Sequence, residues 1–433
     1  MRLNPFFSAA FDPARRRPAA ADTAGAVAVV DAGRARRASV WEVADFRRLW
    51  SVGLVVFAVR WFEMLVVGVF VYQRTSSAFT VALMTMLRML PMALFGAIIG
   101  ALAERFERRS AMIAVVASML TTSLCLAALA YAGQLEVWHL AVASFCNGIA
   151  WAADNPVRRV MIGEVVGNER MSAAMSVDVG ANNASRMLGP TIGGLLLAGV
   201  GISGAFTVSV LCYLLALAMA IRLRHRNSLT PATSGGVLAR MIEGFMLVRR
   251  DPRLIAILTI TIIYNVFGWP FTAMVPVIGQ DNLHLGAGGI GLLASMDGIG
   301  AFCGAIVVAL YAKPIHYTRL YIGGTGVYLV VLIAFALVPN VPVAAAALFL
   351  TGLSSAAFSV MQATLIYLAA PADMRSRMYG VLSVCIGVGP LGFLWIGLLA
   401  DAIGASSATA ITGLMGLAAL FLTRRWWRQL GGA

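Results

Sequence analysis

The chain has 433 residues, of which 60% are hydrophobic and only 12% charged, and its mean hydropathy is +0.85. Soluble chains carry about 25% charged residues, so this composition excludes a soluble globular protein and predicts that most of the chain meets lipid. The net charge of +14 comes from basic residues that lie in short clusters between apolar runs. That placement is typical of membrane orientation rather than of nucleic-acid binding, and no nucleic-acid partner is expected.

The chain divides into five predicted regions. Residues 1–45 are rich in alanine and arginine, and their short apolar patch is followed at once by charge, which favours a disordered basic cytoplasmic tail over a cleaved signal. The other regions are an N-terminal six-helix bundle at 46–222, a cytoplasmic linker with an amphipathic helix at 223–253, a C-terminal six-helix bundle at 254–424 and a cytoplasmic tail at 425–433.

Twelve apolar runs are long enough to cross a membrane, since a spanning helix needs about 20 apolar residues. The prediction is therefore an all-α membrane protein with twelve transmembrane helices. Their predicted bounds are 49–71, 79–103, 111–132, 137–155, 174–198, 202–222, 254–278, 288–312, 318–338, 341–369, 378–400 and 405–423.

The links between these runs alternate in charge. One set holds clusters of arginine, whereas Arg74 is the only basic residue in the other set. By the positive-inside rule, both termini are expected in the cytoplasm of a multi-pass inner-membrane protein.

The two halves of the sequence echo each other. Gly189-Pro190 in the fifth run matches Gly389-Pro390 in the eleventh, at an offset of about 200 residues. The repeat predicts two pseudo-symmetric six-helix bundles, the arrangement of transporters that rock around a central site.

The link after the second run reads GALAERFERR at 100–109. It resembles the signature loop of the major facilitator superfamily, with Gly100, Glu104, Arg105 and Arg108 in the positions of the motif and Glu104 replacing the usual Asp. The resemblance implies a cytoplasmic gate in which Asp154 pairs with Arg108 and Glu104 lies near the start of the eleventh helix.

The fifth run contains a second motif, Gly189-Pro190-Thr-Ile-Gly193-Gly194. It resembles the motif of exporter branches of the superfamily, where we expect it to serve close helix packing and bending. The chain as a whole is most similar to the group that contains the enterobactin exporter and macrolide-efflux proteins. Relatives often carry Asp where this chain has Arg60, so the substrate and the coupling chemistry stay open.

Ionisable side chains within the runs are expensive to insert and are expected to face a shared polar cavity. We expect Glu63, or else Asp297 or Asp178, to take and release a proton; the alternative is a permanent ion pair that locks helices. The arginines would hold an anionic substrate or serve structure alone, and the asparagines would bond substrate or a neighbouring helix. The candidate pathway residues are Arg60, Glu63, Arg88, Asp178, Asn182, Arg186, Asn265 and Asp297.

The resulting hypothesis is a monomeric, proton-coupled exporter of small amphipathic molecules. A dedicated siderophore exporter, a nutrient importer and a lipid transporter or passive channel are also compatible with the sequence. No HExxH, GxSxG or CxxC pattern occurs, so neither an enzyme nor a metal or cofactor site is expected.

Overall fold

The computed structural model describes residues 39–105, 107–167, 169–225, 237–371 and 374–430. Every regular element within these ranges is helical. Residues 1–38 of the predicted tail at 1–45 lie outside the described residues. Residues 431–433 of the predicted tail at 425–433 also lie outside them.

The first half of the chain forms long helices, three of which continue past an internal proline: Pro91, Pro156 and Pro190. Ser76 ends the first long helix in a left-handed conformation with φ of 49°. These helices are α1 (Ala44–Thr75), α2 (Ala78–Arg105), α3 (Arg108–Tyr131), α4 (Val137–Val166) and α5 (Met171–Ile221).

The second half begins with a short helix in the connection between the halves and continues with apolar helices. Its elements are α6 (Val237–Arg250), α7 (Pro252–Ile263), α8 (Val275–Asp281), α9 (Ala287–Tyr311), α10 (Tyr317–Leu337), α11 (Val341–Ala369), α12 (Arg375–Ile386), α13 (Gly389–Ile403), α14 (Ala405–Leu422) and α15 (Arg424–Leu430).

Ten helical segments of the described chain are long and apolar enough to cross a membrane. One of them is the 51-residue α5, which consists of two helices joined at Gly201, where φ is 67°. The more polar α4 is not among the ten. Dividing α5 at Gly201 gives eleven such segments in the described chain, so the all-helical membrane fold is confirmed while the count of twelve stays a prediction.

The predicted seventh span, 254–278, differs from the structure because it is not one continuous helix. After α7 the chain forms a π-helical turn at Tyr264–Gly268 and a 3-10 turn at Trp269–Ala273 before α8 begins. Pro270 and Pro276 lack the amide hydrogen that a regular helix needs, and each lies in the first turn of one of the new segments.

Corresponding helices of the two halves pack closely through glycines that lie one residue apart in the repeat. A Cβ atom on Gly193 of α5 would lie 2.7 Å from the Phe62 carbonyl oxygen of α1. A Cβ atom on Gly392 of α13 would lie 2.3 Å from the Val266 carbonyl oxygen, in the turn after α7. Such close approach is possible only for glycine, and it places α1 and α7 at equivalent positions in the two bundles.

Candidate functional site

A central cavity of about 330 Å³ lies between the two halves. The first half supplies the charged side chains of its wall, and both halves supply amide and aromatic side chains. Six of the eight predicted pathway residues line it: Arg60, Arg88, Asp178, Asn182, Arg186 and Asn265. Asp297 lines a smaller neighbouring space of about 60 Å³, and Glu63 lines neither of the two.

The cavity extends towards the end of the molecule that carries Arg108, Arg109 and Arg159, here called the basic end. Arg159 lies in its wall and is exposed. At the other end, here called the opposite end, the halves are joined by side chains. The Tyr72 hydroxyl of α1 donates a hydrogen bond to Asp281 of α8.

Asp401 forms a second contact between the halves at the opposite end. Its Oδ2 accepts from the Ser77 hydroxyl at 2.8 Å, and its Oδ1 accepts from the Phe79 backbone amide at 3.0 Å. The second bond satisfies a first-turn amide of α2, so a carboxylate from α13 caps a helix of the other half.

Arg186 of α5 and Asp297 of α9 form an ion pair across the interface, with 2.5 Å between Nη2 and Oδ2. Arg186 borders both the central cavity and the smaller space, whereas Asp297 borders only the smaller one. The other oxygen of Asp297, Oδ1, is buried and has no hydrogen-bond partner among the described residues. This pair therefore joins the halves at the closed side of the cavity.

Glu63 lies behind the cavity wall, inside the first half. It is 2% exposed, and its Oε1 accepts a hydrogen bond from the Ser123 hydroxyl at 2.9 Å. Its Oε2 lies 3.9 Å from Nη2 of Arg88, which does line the cavity. Among the described contacts, Arg88 connects Glu63 to the cavity wall, and this pair joins α1 to α2.

Arg158 is at the centre of a buried charge network. It is 0% exposed and bonds Asp178, while its Nε lies 3.4 Å from Oδ1 of Asp154. Asp154 Oδ2 also lies 3.6 Å from Nη2 of Arg60. Two acids and two arginines thereby tie α1, α4 and α5 together.

The predicted pair between Asp154 and Arg108 is wrong. Asp154 pairs with Arg60 and Arg158, and Arg108 pairs with Glu164 near the end of α4. The physical reason is depth, because α4 continues beyond the predicted end at 155 as far as Val166 and places Asp154 within the bundle. The side chains of 97–105, which include Gly100, Glu104 and Arg105, lie outside the described part, so the rest of the gate stays a prediction.

The asparagines of the predicted pathway bond within the protein while bordering the cavity. Asn182 Oδ1 accepts from the Trp61 indole at 3.4 Å, and Asn265 Nδ2 donates to the Thr261 carbonyl at 2.9 Å. Gln362 donates to the Thr261 hydroxyl at 2.9 Å and also lines the cavity. Gln362 was missed because a single amide in an apolar run has no spacing signal.

The exporter-like motif of α5 packs against two different helices. A Cβ on Gly189 would lie 2.5 Å from Cβ of Trp61 in α1. A Cβ on Gly194 would lie 2.4 Å from the Ala287 carbonyl oxygen of α9, in the other half. The Thr191 hydroxyl and Ser295 Oγ, 2.7 Å apart, add a hydrogen bond to the same interface. The small residues around Pro190 therefore allow the halves to touch near the opposite end.

Two helical halves around a polar cavity, joined by side chains at the opposite end, define a membrane transporter of the major facilitator superfamily. The chain belongs to the transmembrane secretion effector family, whose sequence profile matches residues 39–428.

Relatives of known function cover most of the chain. It is 21% identical over 386 residues to macrolide efflux protein A of Streptococcus pyogenes, covering 87% of this chain and 94% of that protein. It is 20% identical over 368 residues to the staphyloferrin A transporter of Staphylococcus aureus, covering 84% and 92%.

A solved structure shows the same fold. A bacterial homologue of the human lysosomal transporter Spinster, in an inward-facing and unoccupied conformation, superposes with a TM-score of 0.68 at 15% identity. The match covers 89% of this chain and 97% of that chain.

Proposed function

We propose that the protein is a secondary active exporter that moves small amphipathic molecules out of a bacterial cell in exchange for protons. The basic end would face the cytoplasm, as the positive-inside rule requires, with both termini on that side. The observation that carries the proposal is the central cavity, which reaches exposed Arg159 at the basic end and ends at the Arg186–Asp297 pair. In this state the cavity would receive its substrate from the cytoplasm.

The relatives favour export over nutrient uptake and over passive conduction. Macrolide efflux protein A is an efflux protein by name, and the family is described as secretion effectors. The wall of the cavity combines Trp61, Trp151 and Trp269 with charged groups, which suits a ligand that has both an apolar body and a polar group.

Coupling to protons would take place at Asp297. While the opposite end is closed, the carboxylate is held by Arg186 at 2.5 Å. Separation of α5 from α9 would leave a buried carboxylate without its partner, and a proton is the simplest replacement for the lost charge. Proton uptake from outside would thus accompany opening of the opposite end, and release towards the cytoplasm would restore the pair.

Asp297 is a better candidate for this role than Glu63 or Asp178. Its partner belongs to the other half of the molecule, so its protonation state is tied to the contact that must open. Glu63 is paired with Arg88 and Asp178 with Arg158, both inside the first half. Protonation of either would change one bundle without directly releasing the other.

Transport into vesicles tests the proposal. The full-length protein is reconstituted into liposomes with an acidic interior, and uptake of radiolabelled erythromycin and of 2-naphthalenesulfonate, a permanent anion, is measured. We expect uptake of at least one probe above that of protein-free vesicles, collapse of that uptake when an ionophore removes the gradient, and its loss in Asp297→Asn. Uptake that ignores the gradient would indicate a passive channel and would overturn the proposal.

A dedicated siderophore exporter is favoured by one relative, the staphyloferrin A transporter of Staphylococcus aureus. Staphyloferrin A should then compete with the transported probe, and erythromycin should not. Competition by erythromycin alone would exclude a dedicated siderophore exporter.

A further inference from the structure

The charges on the cavity wall are strongly unbalanced. Among the described residues that line it, four are arginines and a single one, Asp178, is acidic; the arginines are Arg60, Arg88, Arg159 and Arg186. Three of these arginines face an acid that does not line the cavity: Arg60 faces Asp154, Arg88 faces Glu63 and Arg186 faces Asp297. A ligand in the cavity therefore meets guanidinium groups, while the compensating carboxylates lie behind them.

Two of these arginines are held loosely by the protein. Arg60 is 7% exposed and lies 3.6 Å from Asp154, and Arg88 is 8% exposed and lies 3.9 Å from Glu63. Both distances exceed that of a hydrogen bond. By contrast, Arg186 lies 2.5 Å from its carboxylate partner.

Each acid beside the two loosely held arginines uses one of its two carboxylate oxygens for another group. Asp154 is shared with Arg158, whose Nε lies 3.4 Å from Oδ1. Glu63 accepts from Ser123 at 2.9 Å. The other oxygens face the arginines without a hydrogen bond: Asp154 Oδ2 lies 3.6 Å from Arg60 and Glu63 Oε2 lies 3.9 Å from Arg88.

The unpaired atoms of the wall are all donors. Among the described lining residues, three buried side-chain atoms have no hydrogen-bond partner in the protein: Arg60 Nη2, Arg88 Nε and Trp151 Nε1. No buried acceptor of a described lining residue is in this condition. Buried donors are normally satisfied, and these three belong to side chains that line the cavity, so a small rotation of each would present an unused donor to a ligand that accepts hydrogen bonds.

We infer that the cavity binds amphipathic anions, with Arg60, Arg88 and Trp151 receiving the anionic group. This inference rests on the proposed function and specifies the substrate class of the same cavity. Carboxylate or sulfonate oxygens would accept charge-assisted hydrogen bonds from the guanidinium groups. The Arg60 guanidinium lies 4.7 Å from the centre of the Trp151 ring and 5.4 Å from that of Phe57, which holds it beside an aromatic surface suited to a flat apolar body.

A matched set of ligands tests this inference on the full-length protein in detergent. The probes are 2-naphthalenesulfonate, the neutral 2-naphthalenesulfonamide and the cationic 2-naphthylmethylammonium, and titration calorimetry gives each dissociation constant. We expect the sulfonate to bind at least about tenfold more tightly than the sulfonamide, and the preference to shrink at high salt.

Variants assign the preference to particular residues. Arg60→Gln and Arg88→Gln should each reduce the preference for the sulfonate about fivefold or more, and Arg60→Lys should retain part of it. Trp151→Phe, which keeps a ring and removes the donor, should weaken sulfonate binding about threefold. Arg319→Gln, which changes an exposed arginine on α10, should leave the preference unchanged. Unfolding temperatures identify any variant that fails to fold, and Arg60→Lys and Trp151→Phe serve as the milder substitutions.

Equal or tighter binding of the sulfonamide or the ammonium probe would overturn the inference, as would absence of saturable sulfonate binding. A preference that survives substitution of both Arg60 and Arg88 would also overturn it. Gradient-driven uptake of erythromycin without any preference for anions would leave export standing and remove the anion site. Tight sulfonate binding without gradient-driven uptake of any probe would leave the anion site standing and overturn the proposed export function.

Discussion

Arg186 and Asp297 are 111 positions apart in the sequence, and their side chains meet at 2.5 Å across the interface between the two halves. Their helices also approach closely, since a Cβ on Gly298 would lie 2.6 Å from the Arg186 carbonyl oxygen. The ion pair and the close backbone contact occur together, so anything that separates α5 from α9 disrupts both. This coupling connects the charge state of the site to the closure of the opposite end.

The Arg186–Asp297 pair should be recognisable by its non-additive effect on stability. Asp297→Asn leaves Arg186 without its charged partner and should destabilise the protein by about 2–3 kcal/mol, less than a completely buried pair would lose. The double variant Arg186→Gln/Asp297→Asn should recover most of that loss, as measured by thermal unfolding in detergent. Additive losses would show that the two charges do not depend on each other.

Glu63→Gln should preserve gradient-driven uptake at about half the native rate or more, because the amide can still accept from Ser123 and the site lies behind Arg88. The comparison is with Asp297→Asn in the same vesicle assay. Loss of coupling in Glu63→Gln, with coupling retained in Asp297→Asn, would make Glu63 the proton carrier instead.

Gly291→Ala should prevent close contact between α9 and α5. The added Cβ would lie 2.4 Å from the Pro190 carbonyl oxygen, an overlap that should cost about 1–3 kcal/mol and lower the rate of transport. Gly288→Ala is a matched control on the same helix, since its nearest neighbour, Cδ2 of Leu195, would lie at 3.6 Å. Equal unfolding temperatures for the two variants would contradict the close packing described here.

Asp401→Ala should loosen the opposite end. It removes the acceptors of Ser77 and of the Phe79 amide, which should cost about 1 kcal/mol and favour separation of the halves there. Spin labels at Gln73 and Ser407, with the native cysteines replaced, should report a longer distance by pulsed electron resonance. Glu136→Gln, which changes a loop of the first half at the same end, is the control. An unchanged distance distribution in Asp401→Ala would exclude a role for Asp401 in closure.

Much of the fold follows directly from the order of residues. Lipid requires long uninterrupted apolar helices, so hydropathy alone located most spans to within a few residues, and the repeated Gly-Pro pairs indicated two related bundles. The break after α7 was not readable from its prolines alone, because Pro91, Pro156 and Pro190 lie inside helices that continue past them. The end of α4 was placed too early because Asp154 and Arg158 looked like loop residues.

The sequence by itself determined that the protein is a helical membrane protein and which ionisable groups lie within most of its spans, although it placed Arg158 in a loop. Only the tertiary structure decided how those groups pair: Asp154 with Arg60 and Arg158, and Arg186 with Asp297. The reason is that these helices are apolar on nearly every side, so their pattern does not specify rotation about the helix axis. Rotation and crossing are set by close contacts such as that of Gly194 with Ala287, and they decide which charges face the cavity.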